Sequence, residues 1–224
     1  MTDATQKLTH EVEKQMLDKN LFMICRRLNP NALSTLSTGY HIRNCREDEL
    51  DIWKDMPFDD PEDAEKYRGY MSNYFSRVYA KKGRLFYERC IFVCDDQDRP
   101  IATAFIWKAY DAFNTIHWLK VVKGQEGRGV GRALLSVIMK ALKAKDYPVY
   151  LHTQPDSYRA IKLYADFGFE LLSDPIIGSR KNDIEACLPI LEKYMTHIAF
   201  KKLTCTKAPK YFLRKLEEKQ DNEF

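Results

Sequence analysis

Hydrophobic residues recur along this chain with two periods, and the switches between them outline its elements. From Thr5 to Leu28, the positions Leu8, Val12, Met16, Lys19 and Met23 return at helical spacing with charges between them. That predicts a first helix, which Asn29-Pro30-Asn31 stops. Tyr40 to Cys45 alternates as a strand, and Glu47 to Trp53 reads as a short helix. Asp60-Pro61-Glu62-Asp63 is a helix start: Asp caps, Pro takes the first position, and the acids meet the positive end of the dipole. The helix it opens carries Tyr67, Met71, Tyr74 and Val78 on one stripe.

Leu85 to Asp95 and Ile101 to Tyr110 read as paired strands about the turn Asp96-Gln97-Asp98-Arg99-Pro100. Cys90 and Cys94 would then share a strand and one of its faces. Thr115 to Val122 is the next strand, followed by a helix from Gly129 to Lys145. Val149 to Thr153 (strand), Ser157 to Phe167 (helix) and Phe169 to Ser173 (strand) complete the middle of the chain. Beyond them, Asp183 to Tyr194 predicts a helix and Ile198 to Thr206 a late strand, while the lysine-rich tail from Tyr211 to Phe224 is expected to fray. The order of elements predicts an α/β (α+β) fold on a mixed sheet.

Composition narrows the function classes without choosing one. With 224 residues the chain is long enough for a substantial core. A net charge of +4 with dispersed basic residues gives no footprint for nucleic acid. Cys25, Cys45, Cys90, Cys94, Cys187 and Cys205 form no metal-type pairs. With no signal peptide and no long apolar run, the expectation is a cytoplasmic protein with reduced thiols and no membrane contact.

Candidate chemistry concentrates in Glu126-Gly127-Arg128-Gly129-Val130-Gly131-Arg132, between a strand and a helix. Bare backbone N–H groups in such a turn, with the helix dipole behind them, suit a phosphate or pyrophosphate. A nucleoside triphosphatase loop would end in Gly-Lys-(Ser/Thr), which is absent. A dinucleotide-binding fingerprint would need different glycine spacing and an acidic residue closing the next strand, which here ends on His152 and Thr153.

A second block, Ser157-Tyr158-Arg159-Ala160-Ile161-Lys162-Leu163-Tyr164-Ala165-Asp166-Phe167-Gly168-Phe169, follows at a telling distance. Together the two stretches resemble the GNAT superfamily of acyl-CoA-dependent N-acyltransferases. That family carries (Arg/Gln)-x-x-Gly-x-(Gly/Ala), then Asn-x-x-Ala-x-x-Leu-Tyr-x-x-x-Gly-Phe. Gly129 and Gly131 match the first pattern; Ala160, Leu163, Tyr164, Gly168 and Phe169 match the second. Two positions depart: Glu126 stands where Arg or Gln is usual, and Ser157 where Asn is usual. The resemblance is specific from Thr115 to Leu172 and looser from Tyr40 to Tyr110.

The resemblance implies a GNAT-type, mostly antiparallel sheet flanked by helices over residues 37–175. An N-terminal helical extension (1–36) and a C-terminal extension of helix, strand and tail (176–224) would pack on it. It implies acetyl-CoA as cofactor, transfer to an amine in a ternary complex, and the option of a homodimer. Backbone N–H groups of Gly127, Arg128, Gly129, Val130, Gly131 and Arg132 would hold the pyrophosphate. The backbone of Leu119, Lys120 and Val121 would pair with the pantetheine arm. Glu126 is expected to swing outward or pair with Arg128 or Arg132.

By the same resemblance Tyr164 lies beside the CoA sulfur as the acid to the departing thiolate, and Ser157 caps the helix that carries it and stands where the family's Asn also bonds the cofactor. For the base there are two candidates, His117 and His152, each expected to titrate near neutrality. Two-residue alternation would put His117 on one face with Leu119 and Val121. The family's acceptor segment corresponds to Met56 to Asp63, where only Phe58 and Asp59 are left over once the helix start is explained. Because of Glu126 and Ser157, an acyl-CoA-binding sensor that has lost turnover stands as the alternative to an enzyme.

Overall fold

A computed structural model of the protein describes residues 19–219 and residue 223. The strands are β1 (Leu21–Cys25), β2 (His41–Asn44), β3 (Ile91–Cys94), β4 (Pro100–Ala109), β5 (Phe113–Val121), β6 (Val149–Thr153), β7 (Phe169–Leu172), β8 (Ile176–Ile177), β9 (Arg180–Lys181) and β10 (Cys205–Thr206). The helices are α1 (Leu50–Asp55), α2 (Pro61–Val78), α3 (Leu85–Arg89), α4 (Val130–Lys140), α5 (Tyr158–Asp166), α6 (Ile184–Tyr194), α7 (His197–Lys201) and α8 (Lys210–Glu217). This is a mixed α/β fold of mostly antiparallel strands with helices. Packing divides it into two compact units. One holds the described residues up to Asn31 and those from Tyr147 to Lys219; the other runs from Ala32 to Asp146 and includes Glu223.

The first unit is built on β1, which pairs antiparallel with β6 on one side and β7 on the other. Every residue of Leu21-Phe22-Met23-Ile24-Cys25 is fully buried. A strand covered on both faces reads as a continuous apolar run, not as an alternation. That is why the helix predicted from Thr5 to Leu28 fails here: a buried strand has replaced its last turns, while residues 5–18 lie outside the described part. β10 extends this part of the sheet in parallel with β7. The Phe212 ring of α8 stacks on Tyr150 of β6 at 3.8 Å between centroids.

The C-terminal expectations need correction for the same reason, burial. His197–Lys201 is helical, capped by the Thr196 hydroxyl, so the late strand shrinks to Cys205–Thr206. Of the segment expected to fray, residues 211–217 instead belong to α8, because Phe212 and Leu216 are buried one turn apart, while residues 220–222 and 224 lie outside the described part.

The second unit is an antiparallel meander, β2-β3-β4-β5. Asp60 caps α2 as predicted, its carboxylate accepting from the Glu62 amide at 2.9 Å. Leu85–Arg89 is helical rather than the start of a strand, since Phe86 is fully buried and α3 carries it into the core. Cys90 ends that helix and so does not share a strand with Cys94, though both thiols are buried. α4 ends at Lys140, short of the predicted Lys145. An aromatic core gathers Trp53, Tyr79, Phe86, Phe92, Phe105 and Trp107 under these elements.

Candidate functional site

In the second unit, β5 carries an irregularity just before the glycine-rich loop. Phe105 of β4 faces His117, but Thr103 faces Lys120, so one extra residue is accommodated opposite Ala104. Residues directly opposite share a face. His117 and Lys120 therefore point to the same side, and Leu119 and Val121 to the other. The simple alternation that grouped His117 with Leu119 and Val121 is broken by this bulge. At its centre Trp118 adopts φ 54, the left-handed region. For a bulky residue this costs about 1–3 kcal/mol and persists only where surroundings enforce it.

Those surroundings are specific. Trp118 Nε1 donates to the Tyr79 hydroxyl at 3.0 Å, and the same hydroxyl lies 2.5 Å from His117 Nδ1. His117 is buried, and burial holds its pKa down at about 3. Lys120 reaches Asp59 at 2.7 Å, and Phe58 stacks on Tyr67 at 5.4 Å. The two residues left over in the sequence reading of the acceptor segment thus both have structural partners.

Past β5 the chain turns through Gly124, Gly127 and Gly129 at φ 90, 77 and 80. Glu126, Gly127, Arg128 and Gly129 are exposed. A Cβ built on Gly127 or Gly129 meets nothing within 4 Å, so the glycines serve the left-handed backbone and not a crowded neighbour. Gly129 is the N-cap of α4, with no side chain capping it and no acid in the first turn. The first intrahelical bond runs from Ala133 N–H to the Gly129 carbonyl at 3.0 Å. Helix geometry leaves the N–H groups ahead of it at the open, positive end of the dipole. Gln125 is held by the Tyr40 hydroxyl at 3.1 Å, while Arg132 reaches the Ala32 carbonyl at 3.1 Å. Glycine backbone at positive φ, bare amides and an exposed Arg128 are suited to an anionic group such as a diphosphate.

The first unit holds the other predicted residues. His152 Nε2 lies 2.8 Å from Asn20 Oδ1, and its ring packs on Phe22 at 5.0 Å. Burial, aided by the Arg180 charge, lowers its pKa to about 3. Neither histidine therefore titrates near neutrality, contrary to expectation: desolvation outweighs anything nearby that favours the cation. Ser157 is at the N-cap of α5 but makes no capping bond. A tight 3-10 turn from Pro155 runs straight into the helix, so Ser157 (ψ 31) lacks the extended backbone that a capping hydroxyl needs.

Tyr164 is buried against Phe169 at 5.7 Å, and burial pushes its phenol well above the usual tyrosine range. Gly168 explains its own place in the motif: at φ 96, a Cβ would sit 2.7 Å from the Arg27 carbonyl.

Tyr79 was not legible from sequence. It follows the predicted stripe of α2 by one residue, and no motif singles it out. His41, Cys94 and Asp98 bring ligand-type atoms within 4.8 Å of one another. Hydrogen bonds from Arg43, His41 and Arg46 hold the Asp98 carboxyl well below its usual range, so this cluster is an ion-pair network already supplied with cations.

The model of the acetyltransferase (GNAT) family matches residues 48–169. No curated protein matches the chain. Similar solved structures include a GCN5-related N-acetyltransferase from Sphaerobacter thermophilus, at 15% identity and TM-score 0.45, covering 68% of this chain and 48% of that one. A GNAT-family acetyltransferase from Colwellia psychrerythraea is 14% identical at TM-score 0.47, covering 69% and 53%. A tandem GNAT protein from the clavulanic acid biosynthesis pathway is 12% identical at TM-score 0.48, covering 67% and 49%. The chain spans about half the length of these structures.

Proposed function

The chain belongs to the GNAT acetyltransferase family, and from that premise we propose that it transfers an acetyl group from acetyl-CoA to an amine. The amine, on a small molecule or a protein, attacks directly in a ternary complex. The observation that carries this reading is the loop: glycines held at positive φ, exposed, and opening uncapped into α4. When bound, acetyl-CoA supplies the acetyl group as an activated thioester. The backbone N–H groups from Gly127 through Arg132 would hold its pyrophosphate, and Leu119, Lys120 and Val121 would offer backbone to its pantetheine arm.

Tyr164 holds a proton on its hydroxyl at every physiological pH, the state required of a general acid. His117 and His152 remain neutral and unprotonated. With conjugate acids near pKa 3 they take a proton from an ammonium poorly, so the amine must arrive neutral or lose its proton to water. Six free cysteines fit a reducing compartment, in keeping with a cytoplasmic enzyme. No helix among the described residues is long and apolar enough to cross a membrane.

One observation favours a second reading. Two candidate bases locked in the neutral state would suit a protein that binds acyl-CoA without turning it over. A panel of amines with acetyl-CoA, read by free CoA formed, decides between them. Release of CoA with any amine supports the enzyme; tight acetyl-CoA binding by calorimetry without release supports the sensor.

A further inference from the structure

We propose that Tyr79 is a positioning residue that braces the β5 bulge from within the core, fixing the backbone of Leu119–Val121 for the cofactor. The proposal rests on the acetyl-CoA reading for its ligand, but its structural part stands on the second unit alone.

The hydroxyl of Tyr79 touches two consecutive residues of β5, His117 at 2.5 Å and Trp118 at 3.0 Å. The register slip lies between the pairs His117–Phe105 and Lys120–Thr103, so these are the residues where the strand departs from regular pairing. Trp118 is also the residue with φ 54. Its indole is further confined by edge contacts with Trp53 at 5.7 Å and Tyr74 at 5.4 Å. A side chain locked at both its ring and its N–H fixes the backbone on which the next three residues depend.

The choice of tyrosine carries the argument. Tyr79 is fully buried among Trp53, Phe75, Phe86, Phe105 and Trp107. Phenylalanine would fill the same space without bringing a polar atom into an aromatic core. The hydroxyl is therefore accounted for by its polar partners: Trp118, His117 and a further hydrogen bond with Tyr74. Burial raises its pKa far above the usual value, so it stays a phenol whose O–H remains in its hydrogen bonds, and it acts through geometry. Tyr79 itself follows the last turn of α2, its N–H bonded to the Phe75 carbonyl at 2.8 Å. The bulge is thus referred to a long helix as well as to its own sheet.

The experiment compares Tyr79→Phe with Phe86→Leu, which loosens the same aromatic core around the Tyr79 and Phe105 rings but leaves the Tyr79 hydroxyl and its hydrogen bonds in place. Amide hydrogen exchange is measured on the ligand-free protein, and CoA affinity by calorimetry well below the melting temperature. We expect Tyr79→Phe to speed exchange at Leu119–Val121 and to weaken CoA binding about tenfold, the value of one buried hydrogen bond. Phe86→Leu should do neither, even at an equal loss of melting temperature. Trp118→Phe should weaken CoA similarly, and the double variant Tyr79→Phe/Trp118→Phe should be no worse than either single one.

The brace is overturned if exchange at Leu119–Val121 changes no more in Tyr79→Phe than in Phe86→Leu, or if the two losses add. If the wild-type protein binds no CoA, the acetyl-CoA reading falls, and the exchange comparison still decides the brace. Should Tyr79→Phe not fold, Trp118→Phe carries both readouts.

Discussion

The Tyr79 hydroxyl and His117 Nδ1 lie 2.5 Å apart with both residues buried, which makes His117 part of the core scaffold before it is anything else. His152, half-buried and paired with Asn20, is likewise tied into the fold. Both imidazoles have pKa values lowered from 6.5 to about 3. An unfolded chain therefore binds more protons than the native one between pH 6.5 and 3, and stability rises with pH across that window. The contribution is fully present above pH 6.5 and is lost as pH falls toward 3. Each unit of displaced pKa is worth about 1.4 kcal/mol. We expect chemical denaturation to give a lower unfolding free energy at pH 4.5 than at pH 7, and His152→Gln to flatten that slope. The pH–rate profile should show no histidine limb near 6.5. A limb at that position that vanishes in His117→Gln or His152→Gln would return the base to that residue.

Gly168→Ala should destabilise the first unit. The left-handed backbone alone costs an alanine about 1–2 kcal/mol, and the added Cβ would press to 2.7 Å on the Arg27 carbonyl, a backbone atom that cannot swing away. We expect a loss of about 2 kcal/mol or more, seen as a melting temperature lower by about 5 °C or more. An unchanged melting temperature would mean that the approach of Gly168 to the Arg27 carbonyl is looser than the geometry says.

How far the sequence reveals such features depends on what kind of force sets them. Asp60-Pro61 starts α2 by local chemistry, and local chemistry is printed in order along the chain. The glycine loop and the Leu163-Tyr164 block were legible for the same reason. β1 was misread because five consecutive buried residues satisfy helical and strand periodicity equally well, and only its neighbours β6 and β7 decide between them. The bulge at Trp118 was invisible: an inserted residue changes no residue type, yet it reverses the faces of Leu119 and Val121. The histidines were recognised as residues but not as titrating groups, since desolvation belongs to the folded environment and not to the motif.

Gly129→Asp tests the loop. With open space around the Cβ position and an aspartate's tolerance of left-handed backbone, the variant should fold. Its carboxylate would stand at the mouth of α4, where an anion is meant to bind. CoA affinity by calorimetry should fall by more than about tenfold, with the circular dichroism spectrum unchanged. Undiminished affinity would remove the pyrophosphate assignment.

Glu126→Gln tests the departure from the family pattern. Glu126 is exposed on the same loop, so its charge acts through solvent. Removing it should tighten CoA binding by up to about 1 kcal/mol at low ionic strength, and by less in high salt. Weaker binding would assign the carboxylate an organising role in the turn.

Tyr164→Phe separates chemistry from binding. The ring's packing on Phe169 survives the substitution, and only the hydroxyl is lost. Because burial raises the phenol's pKa far above its usual value, Tyr164 stays protonated throughout the working range and adds no basic limb below about pH 10. As the general acid, it should be worth roughly 10²-fold in kcat, with CoA affinity nearly unchanged. A fall in CoA affinity equal to the fall in kcat would make Tyr164 a binding residue. A variant as fast as wild type would move the proton donor elsewhere, most simply to water.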